Sequence, residues 1–155
     1  MKPIQLEPIG RVVSAVKNQR DESWGDVAAE VHLDESRFEP EALAGLEEFS
    51  HVEILFEFDQ IAETEVEKKT RHPRENPRWP KVGILAQRGR KRPNRIGATI
   101  CELVSVNGLA IRVRGLDAFD GSPVLDIKPV MAEFLPDKQT VRQPTWSREL
   151  MRTYF

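Results

Sequence analysis

The segment RGRKRPNRIG, Arg88 to Gly97, packs five cations into its first eight residues and then turns apolar. It ends a longer basic run. Between Lys68 and Arg95 eleven lysines and arginines face one acid, Glu75, although the whole chain carries a formal net charge of -2. A local field of that sign selects an anionic partner whatever the global sum. Pro73, Pro77, Pro80 and Pro93 stiffen the run, and Trp79 gives it an aromatic face. Cations interleaved with an aromatic suit phosphate contact combined with base stacking. A solvated loop has the same composition, so the run alone makes a nucleic acid a candidate partner and no more.

A second segment with chemical potential is GLDAFDGSPVLDIKPV, Gly115 to Val130. Asp117 closes a predicted return strand, and Asp120-Gly121 reads as a tight turn. Asp117 and Asp120 can equally be turn-capping carboxylates. Asp126 and Lys128 share one face of the next strand, where a structural ion pair is the simpler reading.

The elements that must hold these segments read as mostly β. HVEILFEFDQ alternates Val52, Ile54, Phe56 and Phe58 with Glu53, Glu57 and Asp59, interrupted by Leu55, as a half-buried strand does. IGRVVSAV, DVAAEVHLD and SPVLDIKPV read as further strands, and KVGILAQRG as one that delivers Arg88 at its C-terminal end. Asn107-Gly108 lies between two β-rich runs and predicts a type I′ hairpin, with Leu109, Ile111 and Val113 facing in and Arg112 and Arg114 facing out. Pro93-Asn94 predicts a rigid turn ahead of the strand that Ile96-Gly97 enter. Helical spacing predicts a helix over PEALAGLEEF, starting at Pro40, and another over WSRELMRTYF, capped by Thr145. Trp146, Leu150, Met151 and Tyr154 would share one face of the latter, against the core or a dimer partner. Several short strands at turn-punctuated spacing imply a mainly β chain, an antiparallel barrel with a few short peripheral helices. Residues 1–155 are expected to form one such domain, with 131–155 as a C-terminal tail or helix.

Composition narrows the function classes. With 155 residues, 39% hydrophobic and 31% charged, the chain can bury a core, and it has no apolar run long enough to cross a bilayer. The N-terminal segment lacks the apolar stretch of a secretory signal, so a cytoplasmic location is expected. Cys101 is the only cysteine, and His32, His51 and His72 are scattered, so no metal site is expected. Neither a GxGxxG turn opening a helix nor a Walker loop is present, so a nucleotide-like cofactor must be held in another way.

RPNRIG followed by LDAFDGSPVLDIKPV resembles the paired signature of the TsaA-like family, also called YaeB, VirR or TrmO, whose members show RPNPIG and LDxxDGTPVLDIKPY. PIGRVVSAV, GLEEFSHVEILFEF and GILAQR extend the resemblance from about Ile9 to Val130. Here Arg95 replaces the second proline, Val130 the tyrosine, and Asp59 a histidine common in the family. The resemblance implies a homodimeric β-barrel methyltransferase that uses S-adenosylmethionine to methylate N6 of threonylcarbamoyl-adenosine beside the anticodon of tRNA. Carried over by motif, it implies cofactor contacts from Arg20, Asp21, Glu22, Phe58, Asp59, Arg88, Ala98, Leu116, Asp117, Ala118 and Phe119. Asp120 and Asp59 are the candidate proton acceptors. Arg71, Arg74, Arg90, Lys91, Arg92, Asn94 and Arg95 are the candidate RNA contacts. The alternatives are methylation of another RNA or a small molecule, or a module that binds RNA without turnover.

Overall fold

A computed structural model describes residues 2–18, 20 and 22–155. The strands are β1 (Gly10–Ser14), β2 (Ala28–Leu33), β3 (His51–Glu57), β4 (Thr70–Arg71), β5 (Val82–Gly83), β6 (Ile96–Asn107), β7 (Ala110–Arg114) and β8 (Pro123–Pro129). Six of them close into an antiparallel barrel in the order β1-β2-β7-β6-β3-β8, while β4 and β5 pair separately. The barrel expected from the sequence is therefore present.

Alternation along the strands fills its interior. Val12, Val31, Val52, Ile54, Phe56, Cys101, Ile111, Val113 and Val124 are each no more than 1% exposed. Burying a side chain of this size stabilises the fold by about 2 kcal/mol each. Gly97 is required by this packing, because a Cβ there would lie 2.5 Å from Cζ of Phe56, its register partner on β3. Ring closure is lopsided. β3 and β6 share seven register pairs, whereas β1 and β8 share only Gly10↔Val124 and Arg11↔Pro123.

An antiparallel order also sorts the connections. β1, β3 and β7 end on the rim where β2, β6 and β8 begin, so the β1–β2, β3–β6 and β7–β8 connections all emerge together there. The basic run belongs to the β3–β6 connection and the LDAFDG segment to β7–β8, which brings both sequence segments to one rim. The opposite rim carries the β6–β7 hairpin and two 3-10 turns.

Four local expectations are corrected. KVGILAQRG forms only the two residues of β5 and then a 3-10 turn over Ile84–Ala86. The Gln87 amide donates to the carbonyls of Arg71 and Val82, closing the segment on itself, so Arg88 leaves a turn and not a strand. PEALAGLEEF is two 3-10 turns, Pro40–Leu43 and Leu46–Glu48, split where Gly45 adopts φ 83°. The hairpin turn is Gly108-Leu109, one residue later than expected, since Asn107 still pairs with Ala110 and only Gly108 has positive φ. That pattern suits a II′ turn, which takes glycine first. The last helix, α1 (Thr145–Met151), is shorter than its apolar spacing suggested, and its N-cap is Pro144, with no side-chain cap from Thr145. Asp126 and Lys128 do form the ion pair read from their spacing. No helix among the described residues is long and apolar enough to span a membrane.

Candidate functional site

Asp117 is the hub of the loop-bearing rim. Just beyond β7, its carboxylate accepts hydrogen bonds from the hydroxyls of Thr99 and Tyr154, one on each oxygen. Thr99 points inward from β6 between Gly97 and Cys101 and is 7% exposed. The negative charge is felt by its neighbours. Burial first, and then Asp117, push the Cys101 thiol well above the usual range, and the same two causes raise the Tyr154 hydroxyl.

Leu116, Ala118 and Phe119 flank Asp117 and are buried. Phe119 has its ring centroid 6.1 Å from that of Trp24, and the Arg90 guanidinium stands 5.5 Å from the Phe119 ring centroid. Arg20 lies 5.8 Å from the centre of the Trp24 ring and donates from Nε to the Glu22 carbonyl. On the other side Arg88 donates to the carbonyl of Ala98, next to Thr99. The rim thus joins Arg20, Glu22, Arg88, Ala98, Leu116, Asp117, Ala118 and Phe119 into one neighbourhood. Asp21 lies outside the described residues.

Phe58 and Asp59 follow β3 on the same rim. The Phe58 ring meets Phe56 edge-on at 5.1 Å, so Gly97, Phe56 and Phe58 form one packed column. Asp59 accepts from the Ser122 hydroxyl at 3.2 Å, and Ser122 is itself tied to Phe119 by its backbone. Asp120 serves a turn: its carboxylate accepts from the Ser14 amide at 3.0 Å, and its own amide donates to Val16. Of the two candidate proton acceptors, Asp59 has the lighter structural duty.

The basic loop is heavily compensated. Arg71 pairs with Glu75 at 3.0 Å, Lys91 with Glu65 at 3.2 Å, and Arg95 with Glu57 at 2.8 Å while also donating to the Ile61 carbonyl. Arg92 donates to the Gln87 carbonyl. Arg74 stacks 5.5 Å from the Tyr154 ring centroid. Asn94 and Arg95 adopt φ 63° and 52°, which folds the loop back before β6. Asn94 is exposed at its tip. An open cleft of about 430 Å³ between Glu65, Arg71, His72, Glu75 and Lys91 carries both signs of charge. No cluster of three or more metal-ligating side chains occurs among the described residues.

Sequence reasoning missed Trp24, Thr99, Ser122 and Tyr154. Thr99 had a usable signal, a hydroxyl at an inward position of a strand. Tyr154 had none, because its apolar spacing placed it on a helix face.

These observations define a closed β-barrel whose candidate site is built from three connections at one rim. The chain belongs to the tRNA-methyltransferase O N-terminal domain family, whose model matches residues 18–135. It is similar to a tRNA (adenine(37)-N6)-methyltransferase of Escherichia coli (strain K12), 36% identical over 148 residues that cover 88% of this chain and 63% of that one. The human protein of the same name is 44% identical over 103 residues, 66% of this chain and 23% of that one. A probable S-adenosyl-L-methionine-binding protein of Methanothermobacter thermautotrophicus is 35% identical over 130 residues, 81% of this chain and 89% of that one. The crystal structure of TrmO from Pseudomonas aeruginosa aligns with a TM-score of 0.75 at 26% identity, covering 94% of this chain and 62% of that chain. The chain spans about a fifth of the length of the mammalian relatives it matches.

Proposed function

We propose that the protein is an S-adenosylmethionine-dependent methyltransferase acting on N6 of threonylcarbamoyl-adenosine beside the anticodon of tRNA. The observation that carries the reading is the Asp117 neighbourhood, which draws together the residues expected at the cofactor in a chain of this family. The names of the Escherichia coli and human relatives support the tRNA acceptor.

The residues present fit the cofactor by type. Asp117 is a carboxylate that can accept from ribose hydroxyls, and Phe119, Trp24 and Phe58 offer apolar faces to an adenine. Arg88 and Arg20 offer guanidinium groups to a carboxylate. Aromatic faces also favour a sulfonium cation. When bound, the cofactor supplies an activated methyl group.

The protein's own contribution is positioning: the rim holds the acceptor amine in line and excludes water from it. Asp59, held by Ser122, is the candidate to accept the proton lost from nitrogen. Arg90 and Arg92, with the rest of the basic loop, meet RNA phosphates. A homodimer would present two such loops on one particle.

The test is to incubate the protein with S-adenosylmethionine carrying a labelled methyl group and with tRNA bearing the threonylcarbamoyl modification. Label should appear on N6 of that nucleoside by mass spectrometry. Label on another nucleoside would reassign the acceptor. The name of the Methanothermobacter relative favours a second reading, cofactor binding without turnover. In that case the protein binds the cofactor and no label moves.

A further inference from the structure

The chain after β8 leaves from the rim opposite the candidate site, where the Val130 amide donates to the His51 carbonyl at the start of β3. It nevertheless returns to the loop-bearing rim, and it is anchored there at several points. The Trp79 indole donates to Glu149 of α1 at 2.8 Å. The Ser23 and Trp24 amides donate to the carbonyls of Thr153 and Tyr154 at 2.8 and 2.7 Å. Gly25 accommodates this approach, since a Cβ there would stand 2.8 Å from the backbone of Phe155. The tail therefore adds a short backbone ladder to the loop that carries Arg20 and Glu22. Tyr154 then reaches inward, places its hydroxyl on Asp117 and lies 5.5 Å from Arg74, measured to its ring centroid.

Asp117 is a carboxylate in a partly buried setting with two defined donors. Thr99 holds one oxygen from inside the barrel, and Tyr154 holds the other from the tail. Each oxygen has two acceptor sites, so a single donor on each leaves one for a further hydroxyl. Two donors from opposite sides also fix the plane of the carboxylate. Burial and the Asp117 charge raise the Tyr154 pKa, so its hydroxyl remains a donor throughout the neutral range. The family model ends at residue 135, so α1 and Tyr154 lie outside the matched region.

We propose that Tyr154 is a positioning residue of the cofactor site: its hydroxyl orients the Asp117 carboxylate, and its backbone orders the loop bearing Arg20 and Glu22, so the tail completes the site from the far end of the chain. The proposal rests on the cofactor reading of Asp117. Tyr154 acts through Asp117 and through Trp24, and touches no reacting atom.

The experiment is calorimetric titration of the full chain with S-adenosylmethionine, comparing wild type, Tyr154→Phe, Asp117→Asn and the double variant. Tyr154→Phe keeps the ring and its stacking on Arg74 and removes only the hydroxyl. It should weaken binding about tenfold, the usual scale for one hydrogen bond to a charged group. In the Asp117→Asn background the same change should cost little more, because the oriented carboxylate is already gone. A purely structural tyrosine would cost the same in both backgrounds, and that result overturns the proposal. Unchanged binding by Tyr154→Phe overturns it too. Tighter binding would mean that the tyrosine competes with the ligand, again overturning it. If Asp117→Asn binds as wild type does, the cofactor reading of the site fails and the proposal fails with it. If Asp117→Asn weakens binding and Tyr154→Phe does not, only the proposal fails.

Discussion

Phe56 and Gly97 face each other across β3 and β6, with the phenyl ring occupying the space where a side chain at 97 would stand. The glycine of the RPNRIG signature is therefore a packing residue whose absent Cβ lets the aromatic column reach the candidate site. Gly97→Ala should destabilise the fold by about 1 to 3 kcal/mol through overpacking. A lower urea midpoint at unchanged slope would show it, and adding Phe56→Leu should recover part of the loss.

Cys101 is sealed in the barrel, 1% exposed, and burial followed by the Asp117 charge keeps its thiol protonated. The thiolate is the reactive form. Iodoacetamide at pH 8 should leave the folded protein unmodified over hours and label it fully in denaturant, read by intact mass. Labelling of the native protein would show that the barrel opens readily.

Two arginines of the basic run should behave differently. Arg95 ties Glu57 and the Ile61 carbonyl to the base of the loop, whereas Arg78 is exposed. Arg95→Ala should lower thermal stability, while Arg78→Ala should leave stability unchanged and reduce the salt slope of tRNA binding by about one. Filter binding across a range of salt concentrations, paired with thermal melts, separates the two effects.

Glu65 is held below the usual carboxylate range, first by its hydrogen bond with Lys91 and then by the Ala62 amide. A depressed carboxylate contributes stability that is present above its unfolded pKa and is lost as pH falls through its folded pKa. Glu65→Gln should therefore matter at neutral pH and make no difference once acid has protonated the wild-type side chain. Denaturant midpoints of the two proteins should converge only once pH has fallen through the depressed pKa of Glu65, below the usual carboxylate range.

The fold and the site differ in how far they can be read from the sequence. Alternation in β3 and in the β6–β7 hairpin reports burial directly, because one face of each strand lines the barrel interior. The β5 segment misled because GILAQ is apolar enough for a strand, yet the Gln87 side chain takes over backbone carbonyls and turns the chain after two residues. PEALAGLEEF has helical spacing, but Gly45 in the left-handed region separates its two short turns before a helix can propagate. At the site, the rim residues were legible as motifs and their compensation was not. The pairing of Arg71, Lys91 and Arg95 with acids up to 38 residues away depends on how the connection folds. The contact between Tyr154 and Asp117 depends on the tail crossing the length of the barrel, which no local pattern encodes.

The two register pairs between β1 and β8 have a kinetic meaning. They join segments more than 110 residues apart, so they carry the greatest loop-closure cost of any pairing in the ring and yield the fewest ladder contacts. The β6–β7 hairpin and the β3–β6 ladder, being closer in sequence, are expected to form before this seam, an order that φ-values at Val12 and Val113 would check. The loop bearing Arg20 and Trp24 leads into β2, which pairs with β7, so its approach to Phe119 does not wait for the seam, whereas the bonds from the Asp120 and Gly121 amides to Val16 and Val12 belong to it. The Asp120 corner of the candidate site, held by Ser14 and Val16, is thus the part that closes with the seam, and a ligand that touches it recognises a finished barrel.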